Sequence, residues 1–229
     1  MVVRFGLLPA PAPPVTDFAE RRSRMVRRQL RRRGIEDERV LAAMEEVPRE
    51  LFVPEGLRDK AYADAALPIA EGQTISQPWI VAAICQALGL TGAELVLEVG
   101  TGSGYSAAVL SLLAAHVVSI ERHGSLSQAA AAVLAELGIA NVELVVGDGS
   151  LGVPERAPFD AIAVHATAPE PPPTLLGQLA DGGRLVVPIA AGEADVLTVL
   201  RREGERIAEE TIGPCRFVPL IGEEGFRQE

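Results

Sequence analysis

The sequence predicts a doubly wound α/β fold on a mostly parallel sheet, with helices added at the N-terminus. Three observations predict it. From Trp79 onward, short apolar runs alternate with stretches of helical spacing. Those runs are continuously apolar rather than alternating, as strands covered on both faces must be. The first of them stops at a glycine-rich turn that leads directly into a helical stretch.

The elements follow in order. Residues 1–16, rich in Pro and Ala, read as a disordered tail. Residues 17–78 read as a helical cap with a substrate segment, and 79–229 as the core. Met25, Leu30, Ile35, Val40, Leu41 and Met44 supply apolar positions at loose helical spacing. Gly34 interrupts this pattern, a second helix begins near Glu36 to Glu38, and Pro48 ends it. Leu51-Phe52-Val53-Pro54 is a short apolar anchor. Residues 79–89, WIVAAICQALG, predict a buried helix closed by glycine. Strands are expected over 95–99, 116–121, 142–147, 159–165 and 182–189. Helices are expected over 105–114, 125–137 and 173–180. The runs 196–203 and 206–213 resemble an antiparallel finish. No internal repeat is present.

Composition bounds the function. At 229 residues the chain is one domain, or one domain with appendages. It is 48% hydrophobic with mean hydropathy +0.22 and only 4% aromatic, so Ala, Val, Leu and Ile must fill the core. No apolar run reaches membrane-spanning length, and the N-terminus does not read as a signal peptide, so a cytoplasmic location is expected. Cys85 and Cys215 stand far apart without metal-ligand spacing; two buried thiols and no metal are expected. Eight arginines crowd residues 21–33, whereas beyond Gly34 there are 12 Lys and Arg against 29 Asp and Glu. That acidic body disfavours a phosphate backbone as partner. The arginine run could bind nucleic acid or a membrane surface; the reading preferred is a solvated helix face that also pairs with the acidic body.

The sharpest motif is Glu98-Val99-Gly100-Thr101-Gly102-Ser103-Gly104-Tyr105, between a strand and a helix. Glycines there let backbone turn tightly and approach a ligand. Gly100, Gly102 and Gly104 give G-x-G-x-G rather than the dinucleotide G-x-G-x-x-G. Tyr105 and the lack of a hydride-transfer constellation speak against a nicotinamide enzyme. Glu121, ending the next strand, can accept both hydroxyls of a ribose. Asp148, in Gly147-Asp148-Gly149 at the third strand end, can accept from an adenine amine. Either acid could instead merely cap the helix that follows. Together they point to a nucleoside without a pyrophosphate, which suggests S-adenosylmethionine.

At this point the chain resembles the protein-L-isoaspartate O-methyltransferase family. The resemblance runs from about Met25 to Phe226. It is carried by QLRRRGIEDERVLAAMEEVPRELFVP, AYADAALPIAEGQTISQPWIVA, LEVGTGSGYSAAVL, GDGSLGVPERAPFDAI, GGRLVVPI and FVPLIGEEGF. GQTISQP, residues 72–78, is close to a signature of that family. The resemblance implies a Rossmann-like class I S-adenosylmethionine-dependent methyltransferase fold. It implies methylation of isoaspartyl residues in damaged proteins and peptides, the ester then closing to a succinimide. Ser76 falls on the family's proposed active-site serine. Thr74, Ile75 and Ser76 border the cofactor in it, with Glu98, Gly100, Thr101, Gly102, Ser103, Gly104, Glu121, Asp148 and Gly149. Ser76, Gln77, Val218 and Pro219 fall on the substrate side. S-adenosylhomocysteine is the implied product, and a monomer is the favoured state. The chain departs from the pattern at His165, where a small residue is usual; it reads as a buried or half-buried histidine satisfied by backbone, the alternative being that it narrows the cleft or contacts substrate.

The chemistry explains the polar GQTISQP stretch. An isoaspartyl residue carries a free α-carboxylate whose reference pKa of ~3.5 leaves it ionised at neutral pH, so no general base is needed. A neutral hydroxyl at Ser76 can orient that carboxylate without quenching it as a charged clamp would. The alternative for Ser76 is that it caps the helix beginning at Pro78. Two other functions fit the sequence: an aspartate O-methyltransferase serving one biosynthetic peptide, and a non-catalytic adenosine-ligand binding protein. A nucleic-acid N-methyltransferase is disfavoured, because HATAPEPPP after the fourth strand lacks an acid or amide followed by an aromatic.

Overall fold

The computed structural model describes residues 17–227, so the tail expected over residues 1–16 lies outside the described residues. The chain enters as α1 (Phe18–Met25), whose N-cap Asp17 accepts the Glu20 N–H at 2.9 Å. A π turn over Val26–Leu30 and a 3₁₀ turn over Arg31–Arg33 carry it to Gly34, whose φ of +88° suits glycine. Four of the eight arginines of this segment pair with acids beyond Gly34: Arg21 with Asp59, Arg22 with Glu50, Arg31 with Glu38 and Arg33 with Asp64. α2 (Glu38–Glu46) starts at Asp37, whose carboxylate accepts the Arg39 and Val40 N–H groups.

Short 3₁₀ turns over Arg49–Phe52 and Glu55–Lys60 lead to a two-residue pairing. There β1 (Leu67–Pro68) meets β2 (Thr74–Ile75) antiparallel, Leu67 opposite Ile75. α3 (Pro78–Leu88) follows, and Gly89 closes it in the left-handed region, as the sequence predicts.

The core is β3 (Leu95–Val99), α4 (Tyr105–Ser111), β4 (His116–Glu121), α5 (Gly124–Glu136), β5 (Val142–Val146), β6 (Phe159–Val164), α6 (Pro173–Gly177) and β7 (Leu179–Ala190), then β8 (Asp195–Glu203) and β9 (Arg206–Cys215). Seven strands lie in the order β5-β4-β3-β6-β7-β8-β9. They run parallel through β7, and β8 and β9 return antiparallel, as expected. The order reverses between β3 and β6, and such a switch point opens a crevice at the carboxyl ends of the strands.

Each inner strand buries both faces. Val96 faces the cluster formed with α1 to α5, while its neighbour Leu97 faces the cluster that holds Leu175 of α6. The cap therefore shares one continuous core with the sheet. Two expectations need correcting. The helix expected over 173–180 stops at Gly177, and β7 begins at Leu179, because Leu179 is recruited opposite Phe159 of β6. The buried Gln178 side chain fixes that corner by accepting the Val153 N–H and donating to the Leu151 carbonyl. Of the two thiols expected to be buried, Cys85 is in the core but Cys215 is half-buried at the end of β9.

Candidate active site

The carboxyl edge of the sheet carries a cleft of about 820 Å³, counted to its open mouth. Successive strand ends build it: Gly100 to Ser103 after β3, Glu121 to His123 after β4, Gly149 after β5, and His165 and Ala166 after β6. The remaining walls come from Gln73 to Ser76 and from Val218 to Ile221. A second cleft of about 700 Å³ adjoins it, lined by Arg33, Gln77, Trp79, Arg216 and Phe217 among others. Thr74, Ser76, His165 and Val218 line both.

The glycine loop is held open by its own backbone. Gly100, Gly102 and Gly104 have φ of +94°, +53° and +87°. Gly104 donates its N–H to the Thr101 carbonyl at 2.8 Å. The Glu121 carboxylate braces the turn by accepting the Gly102 N–H and the His123 N–H, each at 2.9 Å. It stands 5% exposed in the cleft wall with acceptor capacity left over. A Cβ on Gly100 would lie 3.5 Å from the His165 Cβ and narrow the cleft there. Glycine loop, acid and apolar walls at Val99, Ile120 and Leu220 thus fit a nucleoside bound without a pyrophosphate.

The other acids stand back from that lining. Asp148 caps the 3₁₀ turn Gly149–Leu151, its Oδ1 accepting the Ser150 N–H and hydroxyl. Its Oδ2 accepts the Glu223 N–H at 2.8 Å, which ties down the C-terminal turn. Burial opposes its ionisation, but the Ser150 and Glu223 donors prevail and hold its carboxyl below the ordinary value. Of the Asp148-Gly149 pair, Gly149 is the one that lines the cleft. The segment Val218 to Ile221 is placed by similar clamps. Asp195 accepts from the Thr167 hydroxyl at 2.7 Å and the Phe217 N–H at 3.0 Å, and Thr167 pairs in parallel with Pro219.

Ser76 is half-buried between the two clefts. It does not cap α3, because the N-cap is Gln77, without a side-chain cap bond, and Pro78 takes the first helical position. Its hydroxyl is therefore not committed to the helix. Gln77 reaches the other way, donating to the Asp64 carboxylate at 2.6 Å.

His165 is satisfied by side chains rather than by backbone. Its Nε2 lies 2.7 Å from the Ser106 hydroxyl and 3.5 Å from Glu98 Oε1. Glu98 is wholly buried behind the glycine loop and accepts from the Ser119 hydroxyl, which in turn meets Thr101. Burial pushes the Glu98 carboxyl up from its ordinary 4.5 to about 7, against the Ser119 and Ser106 hydroxyls. Burial pushes the His165 imidazole down from 6.5 to about 4. Across that interval the folded chain keeps a proton on Glu98 that the unfolded chain loses, and lacks one on His165 that the unfolded chain holds. Glu98 therefore makes stability fall with rising pH and His165 makes it rise, so the two offset each other. His165→Gln removes the second contribution. Relative to the native chain, the variant is expected to lose up to ~1.4 kcal/mol per pH unit between about pH 5 and 6.5. Urea unfolding at successive pH values checks this, and parallel profiles for the two proteins would refute the opposed protonation.

Sequence reasoning missed Ser106, Tyr105 and Arg49. Ser106 meets His165 only through the fold, 59 positions away. Tyr105, read only as a break in a dinucleotide motif, is a buried ring in the cleft wall.

The sheet with its glycine-loop cleft at the carboxyl edge defines a Rossmann-like class I S-adenosylmethionine-dependent methyltransferase. A family model described as protein-L-isoaspartate(D-aspartate) O-methyltransferase matches residues 20–225. The chain belongs to that family. A protein-L-isoaspartate O-methyltransferase of Koribacter versatilis is 50% identical over 217 residues, covering 95% of this chain and 98% of the relative. One from Herpetosiphon aurantiacus is 53% identical over 209 residues, covering 91% and 93%. Among solved structures, a protein-L-isoaspartate O-methyltransferase superposes with TM-score 0.79 at 32% identity, over 89% of this chain and 67% of that one. A Plasmodium falciparum protein solved in complex with S-adenosyl-L-homocysteine gives TM-score 0.74 at 26% identity, over 87% and 98%.

Proposed function

We propose that the chain transfers a methyl group from S-adenosylmethionine to the free α-carboxylate of L-isoaspartyl residues in damaged proteins and peptides, releasing S-adenosylhomocysteine. The observation that carries this reading is the shared wall. Thr74, Ser76, His165 and Val218 line both the glycine-loop cleft and its neighbour, so reactants held in the two meet there. When bound, S-adenosylmethionine supplies a methyl group already activated on a sulfonium.

The chain's own residues position the partners. Gly100 to Gly104 present backbone to the cofactor, with Thr101 and Ser103 in the turn. Glu121 would accept the ribose hydroxyls, Gly149, braced by Asp148, would take the adenine side, and Glu98 supports the loop from behind. Thr74 and Ile75 border the cofactor from the opposite side. The Ser76 hydroxyl donates one hydrogen bond to the substrate carboxylate, with Gln77, Val218 and Pro219 beside the peptide. His165, neutral at pH 7, contributes no charge to this wall. Holding carboxylate, methyl and sulfur in line is the main catalytic contribution, because both partners arrive reactive. The reading includes a monomer acting in the cytoplasm on proteins and peptides, with neither nucleic acid nor membrane as partner. Among the described residues, no helix is long and apolar enough to cross a membrane.

The test is methyl transfer from labelled S-adenosylmethionine to two peptides that differ only in an isoaspartyl or aspartyl linkage. Base-labile label on the isoaspartyl peptide alone is expected, and equal labelling or none would refute the assignment. Ser76→Ala removes one hydrogen bond to a charged group and is expected to lower kcat/KM for the peptide about 30-fold. Its affinity for S-adenosylhomocysteine is expected to stay within about threefold.

A further inference from the structure

A wholly buried cation lies outside both clefts. Arg49 is 0% exposed, on the 3₁₀ turn that follows Pro48. Its partners are carbonyl oxygens, not carboxylates: Nε donates to Ala61 at 2.7 Å and Nη2 to Ser76 at 2.8 Å. Its Nη1 has no hydrogen-bond partner among the described residues. The guanidinium stacks 4.7 Å from the centre of the Tyr105 ring, which itself lines the cofactor cleft. Burial lowers its pKa to about 10, so it stays charged at neutral pH.

A buried cation without an anion is a poor way to stabilise a fold, because carbonyl dipoles recover only part of the lost hydration. An apolar side chain of similar volume would fill the same space at lower cost. What it could not do is tie two strands of backbone at a fixed distance. The segment from Ala61 to Gln77 leaves the core and returns. Its limbs are tied to each other by the two-residue pairing of Leu67 and Pro68 with Ile75 and Thr74 and by the Gln77–Asp64 bond, and to the rest of the chain by Gln29 at the Tyr62 carbonyl, Arg33 at Asp64 and Ser125 at Glu71, but none of these reaches the Ser76 main chain. Arg49 grips both limbs from beneath, one at Ala61 and one at Ser76 itself. The rigid fork of a guanidinium supplies two such donors at set spacing, and lysine cannot.

Resting on the function proposed above, we infer that Arg49 is a positioning residue, which fixes the Ser76 main chain through its carbonyl and so sets where the Ser76 hydroxyl holds the substrate carboxylate. Arg49 also touches Tyr105 at the end of the glycine loop, so the KM for S-adenosylmethionine separates an effect through Ser76 from one through that ring.

A double-variant cycle tests it. Arg49→Met, Arg49→Lys, Ser76→Ala and the two combinations are assayed as full chains with S-adenosylmethionine and the isoaspartyl peptide. Arg49→Met is expected to lower kcat/KM for the peptide about 30-fold, since small misplacements of a reacting group cost on this scale. The KM for S-adenosylmethionine is expected to stay within about threefold. In the Ser76→Ala background the same change is expected to cost less than about threefold, because the residue acts through Ser76. Arg49→Lys, which reaches one carbonyl at a time, is expected to restore part of the activity. Should Arg49→Met fail to fold, Arg49→Lys carries the cycle, with an expected loss of about tenfold that again vanishes without the serine hydroxyl. Losses that multiply in the double variant, or that fall equally on the KM for S-adenosylmethionine, would overturn the inference. If the native chain does not methylate the isoaspartyl peptide, the proposed function fails instead, and that outcome is separate.

Discussion

Gly104→Val is expected to destabilise the chain by about 3–5 kcal/mol and to weaken S-adenosylhomocysteine binding more than tenfold. Gly104 sits at φ +87° and ψ 1°, where a β-branched residue is a genuine outlier. Even a single Cβ there would approach the Ala130 Cβ to 2.9 Å, and Ala130 is a wholly buried residue of α5. Valine must therefore push α4 and α5 apart. Because the Gly104 carbonyl accepts the Ala108 N–H that starts α4, and its N–H closes the turn onto Thr101, the displacement reaches the glycine loop directly. Urea unfolding and calorimetric titration measure the two effects. Gly138→Ala is the control for a Cβ at positive φ in open space, set beside Gly104→Ala as well as Gly104→Val. Gly138 also has positive φ, +69°, but nothing lies within 4 Å of its would-be Cβ. It is expected to cost only about 1 kcal/mol of backbone strain and to leave binding unchanged. Equal effects from the two alanine variants would show that helix separation is not what disables the loop.

The contrast between those glycines also shows where sequence reading reaches its limit. Both glycines were visible as breaks after a strand or helix. Only the fold shows that one is pressed against α5 and the other is open. The same division runs through the site. Strands β3, β4 and β6 were legible because burial on both faces leaves continuous apolar runs, and the half-buried edge strand β5 from its valines and leucine; their glycine and acid ends were legible with them. GQTISQP was legible as polar residues among apolar segments. Asp148 was readable as an acid at a strand end, but its bond to Glu223 spans 75 positions, and no local pattern encodes it. Arg49 looks in sequence like one more charge beside Glu50, and nothing local says that it turns inward. The start of β7 was missed because Leu179 continues the helical spacing of α6 and is claimed for the sheet only by Phe159 across the register.

Glu121→Ala is expected to weaken S-adenosylhomocysteine binding about 10³-fold, because on the function proposed above the carboxylate would accept two charge-assisted hydrogen bonds from the ribose, together worth about 4 kcal/mol. Part of that loss comes from the protein itself. The carboxylate now accepts the Gly102 and His123 N–H groups, and alanine leaves both without it. Glu121→Gln separates the two contributions, since a carboxamide offers one acceptor oxygen and would turn an N–H₂ donor toward a backbone N–H. It is expected to fall between the native chain and the alanine variant. At saturating S-adenosylmethionine, the KM for the isoaspartyl peptide is expected to stay within about threefold in both variants. The reason is structural: Glu121 braces the β3 and β4 ends, whereas Ser76 is held by Arg49 and its flanking segment. Ser76→Ala is expected to show the reverse, lost peptide turnover with cofactor affinity intact. Cofactor and peptide are then bound by separate supports that meet at the shared wall. A Glu121 variant that raised the peptide KM in step with its cofactor affinity would mean that the two clefts do not work as separate halves.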